Sequence, residues 1–134
     1  MRTDGFFEGF REWSDRKLAL LQNYLGKPFT QILGDQPGGV FCVDGFAGRG
    51  EYSDGRTGSS VISAQLAAGF ESGGRYRLQC VNVERNPGHF RNLDAVTNRL
   101  APGLVHNLQG DFAKVLPRVE ALVGSAPTLF FLDP

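Results

Sequence analysis

Apolar residues in this chain follow two patterns that alternate along it: short continuous stretches, and a recurrence at every third or fourth position. Short stretches rich in apolar and β-branched residues lie at 40–44, 76–83, 104–108 and 127–134. Such stretches predict strands that are covered on both faces, as in a parallel sheet. Between them, apolar residues recur at three- and four-residue steps over 59–69, 90–100 and 113–122, which predicts helices. The alternation predicts an α/β fold with a parallel sheet and right-handed crossovers.

A helical spacing also dominates the segment before the first predicted strand. From Asp15 onward it predicts an amphipathic helix, whose apolar positions are Leu18, Leu21, Leu25, Phe29, Ile32 and Leu33. Aromatic residues precede this helix, and they are interpreted as packing in preference to a partner surface: Phe6, Phe7, Phe10 and Trp13. Ser14 is a candidate N-cap, and Pro28 predicts an interruption that leaves two shorter helices. We expect an N-terminal helical segment at 1–36 and a sheet domain at 37–134.

Composition narrows the functional classes. The 134 residues are 41% hydrophobic and 21% charged, which is typical of a globular chain. Fourteen basic residues balance fourteen acidic ones, so the net charge does not support nucleic-acid binding, although a local basic patch remains open. No apolar run approaches the ~20 residues that a membrane span needs, and the N-terminus does not lead into a signal-peptide core. These features predict a cytoplasmic protein without membrane contact.

Cysteine and histidine give no sign of a metal site. Cys42 and Cys80 lie within predicted strands, far apart in sequence and without metal-type spacing. His89 and His106 are isolated from them. We expect both cysteines to be small buried apolar residues and no metal to bind.

The candidate chemistry begins where the first predicted strand ends. Asp44 is followed by three glycines in six residues, Gly45, Gly48 and Gly50. Glycine density of this kind is expected where the backbone turns sharply and approaches a ligand. In open α/β sheets, an acid and a glycine-rich loop at the carboxyl end of a strand hold cofactors. The sequence therefore predicts a cofactor site at this edge of the sheet.

Later strands also end on polar groups. Glu84 follows the second strand and could accept hydrogen bonds from ribose hydroxyls, the alternative being an ordinary exposed acid. Asp111 and Phe112 follow the third, where they could contact an adenine; alternatively, Asp111 caps the next helix. The polar segment 51–58 is too long for the tight turn of a dinucleotide-binding unit. It is interpreted as a wall beside the ligand or as a surface loop.

These motifs resemble class I S-adenosylmethionine-dependent methyltransferases, a Rossmann-like α/β family. Asp44–Gly50 is similar to the family's D-x-F-x-G-x-G motif, and Glu84, Gly110–Phe112 and Leu132–Pro134 match its later motifs in order. More narrowly, the chain resembles the three-Cys-motif partner proteins (TcmP) from Phe6 onward. That resemblance includes Phe7, Trp13–Ser14, Lys17–Leu18, Tyr24–Leu25, Asp54–Gly55 and Gly58–Ser59.

The resemblance implies a role for each site residue. The cofactor S-adenosylmethionine would be bound by Asp44, Gly45, Phe46, Ala47, Gly48, Gly50, Glu84, Asp111 and Phe112. Within this set, Glu84 would contact the ribose, and Asp111 with Phe112 the adenine. Asp133 and Pro134 would face the methyl acceptor as the catalytic residues. A protein carrying the three-Cys motif is the implied partner.

The methyltransferase sheet has more strands than this chain supplies, so the resemblance also implies an N-terminal fragment with an incomplete acceptor side. An exposed fourth strand rich in Phe and Leu predicts poor solubility in isolation. Two other functions remain open. One is a non-catalytic partner module that retains the fold, and the other is a nicotinamide-dependent oxidoreductase, which the order of the loop glycines disfavours.

Overall fold

The computed structural model describes residues 15–33 and 38–133. Four features expected from the sequence lie outside these ranges: the aromatic cluster before the first helix, the cap at Ser14, the domain boundary at 36/37, and Pro134. Helix α1 is helical over 15–33 and includes a π-helical turn at Leu25–Phe29. The remaining elements are β1 (Val40–Asp44), α2 (Ser59–Gly73), β2 (Leu78–Glu84), α3 (Pro87–Leu100), β3 (Val105–Gln109), α4 (Phe112–Val123) and β4 (Thr128–Phe131).

All four strands are parallel and lie in the order β3-β2-β1-β4. The chain moves outward from β1 through β2 to β3, then returns to the other side of β1 to form β4. The reversal creates a topological switch point at the carboxyl ends of β1 and β4, where open α/β sheets bind ligands. The predicted α/β fold with a parallel sheet is thus confirmed, and it is compatible with a Rossmann-like fold.

The core lies on both faces of the central strands, because β1 is buried along its whole length. One face carries Cys42 and Cys80, which pack with buried residues of α1 and α2. The other face carries Val43 and Val81, which pack with α4. Burial raises the pKa of the Cys42 thiol to about 12 and that of Cys80 well above its usual value. Both cysteines are free and buried, as expected.

Two helix predictions need correction. Regular α-helix is interrupted around Pro28 as expected, but by a π-helical turn at Leu25–Phe29, so the backbone stays helical through a residue without an amide hydrogen. Leu25 and Phe29 are buried at either end of that turn and hold it against the core. Helix α2 does not end near Gly69. It continues to Gly73, because Gly74 adopts a left-handed conformation with φ of 75° and caps it.

Strand β4 lies at an edge of the described sheet and pairs with β1 on one side. The prediction of a buried fourth strand is wrong, since its residues are partly exposed and the Phe130 side chain is 44% exposed. Within the described ranges, no helix is both long enough and apolar enough to cross a bilayer.

The exposed edge leads to a prediction about self-association. We expect Phe130→Lys to reduce it, because a charge on an edge strand opposes the addition of another strand. Light scattering over a concentration series measures the effect, and Leu122→Lys is the control, since Leu122 is an exposed apolar residue on the helix α4, to which no strand can be added. Equal self-association of Phe130→Lys and the unmodified chain would contradict the prediction.

Candidate ligand-binding site at the carboxyl ends of the strands

Asp44 is the last residue of β1, and it lies beneath the glycine loop with only 1% of its surface exposed. Its Oδ2 accepts a hydrogen bond from the Ser59 hydroxyl, and its Oδ1 accepts one from the Phe46 amide at 3.3 Å. Burial raises the pKa of Asp44 from 3.8 to about 6; these two hydrogen bonds oppose the rise, and the charges of Asp133 and Glu84 add to it. The Asp44 carboxylate is therefore ionised in this site only at a cost in free energy.

The start of helix α2 is not capped by a side chain. Gly58 is the N-cap of α2 and makes no side-chain cap bond, while Ser59 is the first helical residue. The Ser59 hydroxyl donates to the Asp44 carboxylate instead of capping the helix. A backbone amide bond from Gly58 to the carbonyl of Gly50, at 2.7 Å, brings this helix start under the glycine loop.

Glu84 connects the first two strand ends. Its Oε1 accepts a hydrogen bond from the Gly48 amide at 3.0 Å, and its Oε2 accepts one from the Asn86 amide at 2.8 Å. Gly48 reaches this position with φ of 69°, a conformation that favours glycine. The Glu84 side chain is 14% exposed. The carboxylate thus shapes the glycine loop and still faces the surface of the site.

Asn92 on α3 holds the far end of the same loop, a role for which the sequence gives no signal. Its Nδ2 donates to the carbonyl oxygens of Arg49, at 2.5 Å, and Glu51, at 3.2 Å. These two bonds attach the glycine loop and the start of the next segment to helix α3.

Asn92→Ala is expected to lower the free energy of unfolding by about 1 to 2 kcal/mol, because it removes two hydrogen bonds to backbone oxygens. Urea denaturation measures the change. Asn98→Ala on the same helix is the control, since Asn98 donates only to Asp94 within one turn. Equal effects of the two substitutions would contradict the assigned role of Asn92.

The segment 51–58 forms a short hairpin beside the glycine loop. Glu51 and Thr57 make an antiparallel bridge, and the Tyr52 amide donates to the Arg56 carbonyl at 2.9 Å. Asp54 accepts from the Arg56 amide at 3.0 Å and fixes the turn. Tyr52, Arg56 and Thr57 line a cleft of the candidate site, while residues 51–55 are exposed, so both interpretations of this segment remain open.

A cleft of about 350 Å³, the first cleft, lies between this hairpin, α1 and the end of β4. Its lining combines two cations (Lys17 and Arg56), one acid (Asp133) and three aromatic rings (Phe46, Tyr52 and Phe131). Smaller contributions come from Leu18, Ala47, Thr57, Gly58 and Ser59. Lys17 pairs with Asp133 at 3.0 Å, although the two residues are 116 positions apart. Lys17 is not one of the apolar positions of the predicted amphipathic helix, and the structure places it in the cleft.

A second cleft of about 220 Å³ lies on the other side of Phe46. Glu84, Asp111 and Phe112 line it together with Gly45. The rings of Phe46 and Phe112 lie with their centroids 6.2 Å apart at a tilt of 38°. Asp111 is also the N-cap of α4 and accepts from the Ala113 amide at 3.0 Å, so its predicted capping role is confirmed.

The strand ends therefore bring the residues expected from the sequence into one region. Backbone bonds join them directly, since Gly45 donates to the Phe131 carbonyl at 3.1 Å and Gly110 donates to the Glu84 carbonyl at 3.0 Å. Ala47, 3% exposed, is fixed by a bond from its amide to the Val83 carbonyl. Gly50 takes φ of 83° where the loop leaves the site.

Metal ligation finds no support in this region. Among the residues that the structure describes, no group of three or more histidine, cysteine or carboxylate side chains is placed to hold a metal ion.

Comparison of the chain with protein-family models, with curated proteins and with solved structures yields no match.

Proposed function

We propose that this chain binds S-adenosylmethionine and is the cofactor-binding part of a methyltransferase similar to the three-Cys-motif partner proteins. One observation carries the proposal: two clefts of different chemistry meet at Phe46 of the glycine loop, at the carboxyl ends of the strands. A ligand with a nucleoside at one end and a charged amino acid at the other would match this pair of clefts. The matching sequence motifs support the same cofactor.

The second cleft has the chemistry for adenosine. Each Glu84 oxygen accepts one backbone amide and retains a second lone pair for a ribose hydroxyl. Phe112 provides an aromatic surface for the adenine ring, beside Phe46, whose ring centroid lies 6.2 Å from that of Phe112. Asp111 lines the same cleft and retains an oxygen that is not used in its helix cap.

The first cleft has the chemistry for the amino-acid end. Buried Asp44 gives the glycine loop a negative field that favours a sulfonium or ammonium cation. Ser59 links that carboxylate to the cleft wall. The cofactor supplies an electrophilic methyl group, and transfer of that methyl requires in-line positioning and exclusion of water. Asp133 lines the cleft where it could accept a hydrogen bond from an amino-group acceptor.

A second candidate function is a partner module that binds the cofactor without transferring its methyl group. The Lys17–Asp133 ion pair favours this alternative, because the ammonium group occupies the carboxylate that an acceptor would need. The partner would then be a protein carrying the three-Cys motif, as the family resemblance implies. Binding without transfer to any nucleic-acid or protein acceptor would support this alternative over the enzyme.

Thermal unfolding with added nucleotides tests the proposed ligand. S-adenosylmethionine and S-adenosylhomocysteine at a hundredfold excess over their dissociation constants should stabilise the chain by about 2.7 kcal/mol, and its melting temperature should rise by several degrees. NAD is the control and should have no effect. Stabilisation by NAD alone would overturn the proposal in favour of an oxidoreductase.

A further inference from the structure

Two cations of the first cleft are held in ion pairs that are partly open to solvent. The Lys17 ammonium lies 3.0 Å from Asp133 Oδ1, and the two side chains are 35% and 42% exposed. The Arg56 guanidinium lies 2.7 Å from Asp15 Oδ1, with side-chain exposures of 38% and 65%. Ion pairs at such exposure contribute little net stability, so their members can exchange partners at low cost.

Both cations are presented by fixed backbone. Arg56 lies in the hairpin, where its amide and its carbonyl are both hydrogen-bonded. Lys17 lies one helical turn before Leu21, which is buried in the core and anchors that part of α1. A guanidinium and an ammonium that line one cleft form a suitable receptor for a carboxylate, since the guanidinium fork matches its two oxygens.

We infer that Lys17 and Arg56 form a subsite for the carboxylate of the ligand's amino-acid tail, and that its occupation moves Lys17 from Asp133 to the ligand. This inference rests on the proposed function and extends it to the order of binding. When the subsite is empty, Lys17 blocks the Asp133 carboxylate. When a carboxylate fills the subsite, Asp133 becomes available to an acceptor nitrogen, so the cofactor binds before the acceptor.

The test compares ligands that differ by one carboxylate. S-adenosylhomocysteine and its decarboxylated analogue are titrated calorimetrically into the unmodified chain and into Lys17→Met, Arg56→Met and Lys17→Arg. We expect the unmodified chain to prefer the carboxylate form by at least about tenfold, a typical consequence of losing a charged hydrogen-bond partner. Lys17→Met and Arg56→Met should each lose most of this preference, while Lys17→Arg retains it.

Lys27→Met is the matched control, because Lys27 is an exposed lysine of the same helix that lines neither cleft. It should leave both affinities unchanged. If S-adenosylhomocysteine binds but the unmodified chain shows no preference, or Lys17→Met keeps the preference, the subsite is wrong and the proposed function stands. If neither ligand binds the unmodified chain, the proposed function fails and the subsite fails with it.

Asp133→Asn tests the exchange of partners separately. Removing the competing carboxylate should increase the affinity for S-adenosylhomocysteine several-fold and leave the decarboxylated analogue unaffected. In the Lys17→Met background, the same substitution should have no effect, because no ammonium remains to be released. A similar gain for both ligands, or a gain that persists without Lys17, would overturn the exchange.

Discussion

Glu84→Ala is expected to weaken S-adenosylhomocysteine binding by about 1.5 to 3 kcal/mol, roughly ten- to over a hundredfold in dissociation constant. The substitution removes a charged acceptor proposed for the ribose hydroxyls. It also removes the acceptor for the Gly48 amide at 3.0 Å and the Asn86 amide at 2.8 Å, so the glycine loop loses its attachment to the end of β2. Isothermal titration calorimetry measures the loss of affinity.

Glu84→Gln separates the proposed contact with the ribose hydroxyls from the attachment of the glycine loop to β2. It keeps one side-chain acceptor oxygen and places an amide donor where the second oxygen was, so an intermediate loss of affinity is expected. Glu120→Ala on α4 is the matched control, because Glu120 is exposed and lines neither cleft. Unchanged affinity in Glu84→Ala would return this residue to the reading of an ordinary strand-end acid.

Asp44→Asn should make the free protein more stable and the ligand complex weaker. At pH 8 the buried Asp44 carboxylate is ionised, and the difference between its pKa of about 6 and the ordinary 3.8 corresponds to about 3 kcal/mol of unfavourable free energy. Asparagine removes that cost but can accept fewer hydrogen bonds from Ser59 and Phe46. We expect a net gain of about 1 to 3 kcal/mol in the free energy of unfolding, measured with urea.

The stability gained in Asp44→Asn should depend on pH. Because the folded-state pKa of Asp44 is raised, the folded chain retains a proton between about pH 4 and 6 that the unfolded chain releases. The contribution of Asp44 to stability is therefore greatest below pH 4, falls as pH rises to about 6, and is constant above. The advantage of Asp44→Asn should follow this course in reverse. An equal advantage at pH 4 and pH 8 would contradict the assignment.

Ligand binding should respond in the opposite direction. Asp44→Asn is expected to weaken S-adenosylmethionine binding at least about tenfold at pH 8, because the field that favours a cation is lost. Glu120→Gln is the control, since Glu120 is an exposed acid on α4 that lines neither cleft. A substitution that raises stability and lowers affinity is typical of a binding site that keeps an energetically costly group for its function.

The central part of this fold is predictable from the sequence for simple reasons. The run at Val40–Asp44 is apolar without alternation, and the strand is buried on both faces. The acids Asp44 and Glu84 follow predicted strands, and parallel pairing places such strand ends at one edge of the sheet. Local patterns therefore identify the strands, and the common direction of the strands brings the site together.

Other features depend on contacts between distant parts of the chain. Lys17 has the surroundings of an exposed helical residue in sequence, and its pairing with Asp133 becomes visible only when α1 lies against the end of β4. Ser59 is a plausible cap until Asp44 competes for its hydroxyl. Asn92 contacts a loop 41 and 43 residues earlier, and no local spacing encodes that contact. Periodicity cannot predict such long-range polar contacts.

The site combines rigid and exchangeable interactions. Backbone amide bonds join the glycine loop to β2 and the loop after β3 to Glu84. The ion pairs at the first cleft are exposed and can rearrange. The proposed nucleoside end would thus enter a preformed cleft, while the amino-acid end would bind by replacing existing partners.

Backbone amide chemical shifts during a titration with S-adenosylhomocysteine test the central claim most directly. We predict saturable changes centred on the glycine loop, the end of β2, the start of α4 and the walls of the first cleft, including the amides of Gly48, Asn86, Phe112 and Arg56, with NAD producing none. Absence of saturable changes, or changes centred away from the carboxyl ends of the strands, would contradict it.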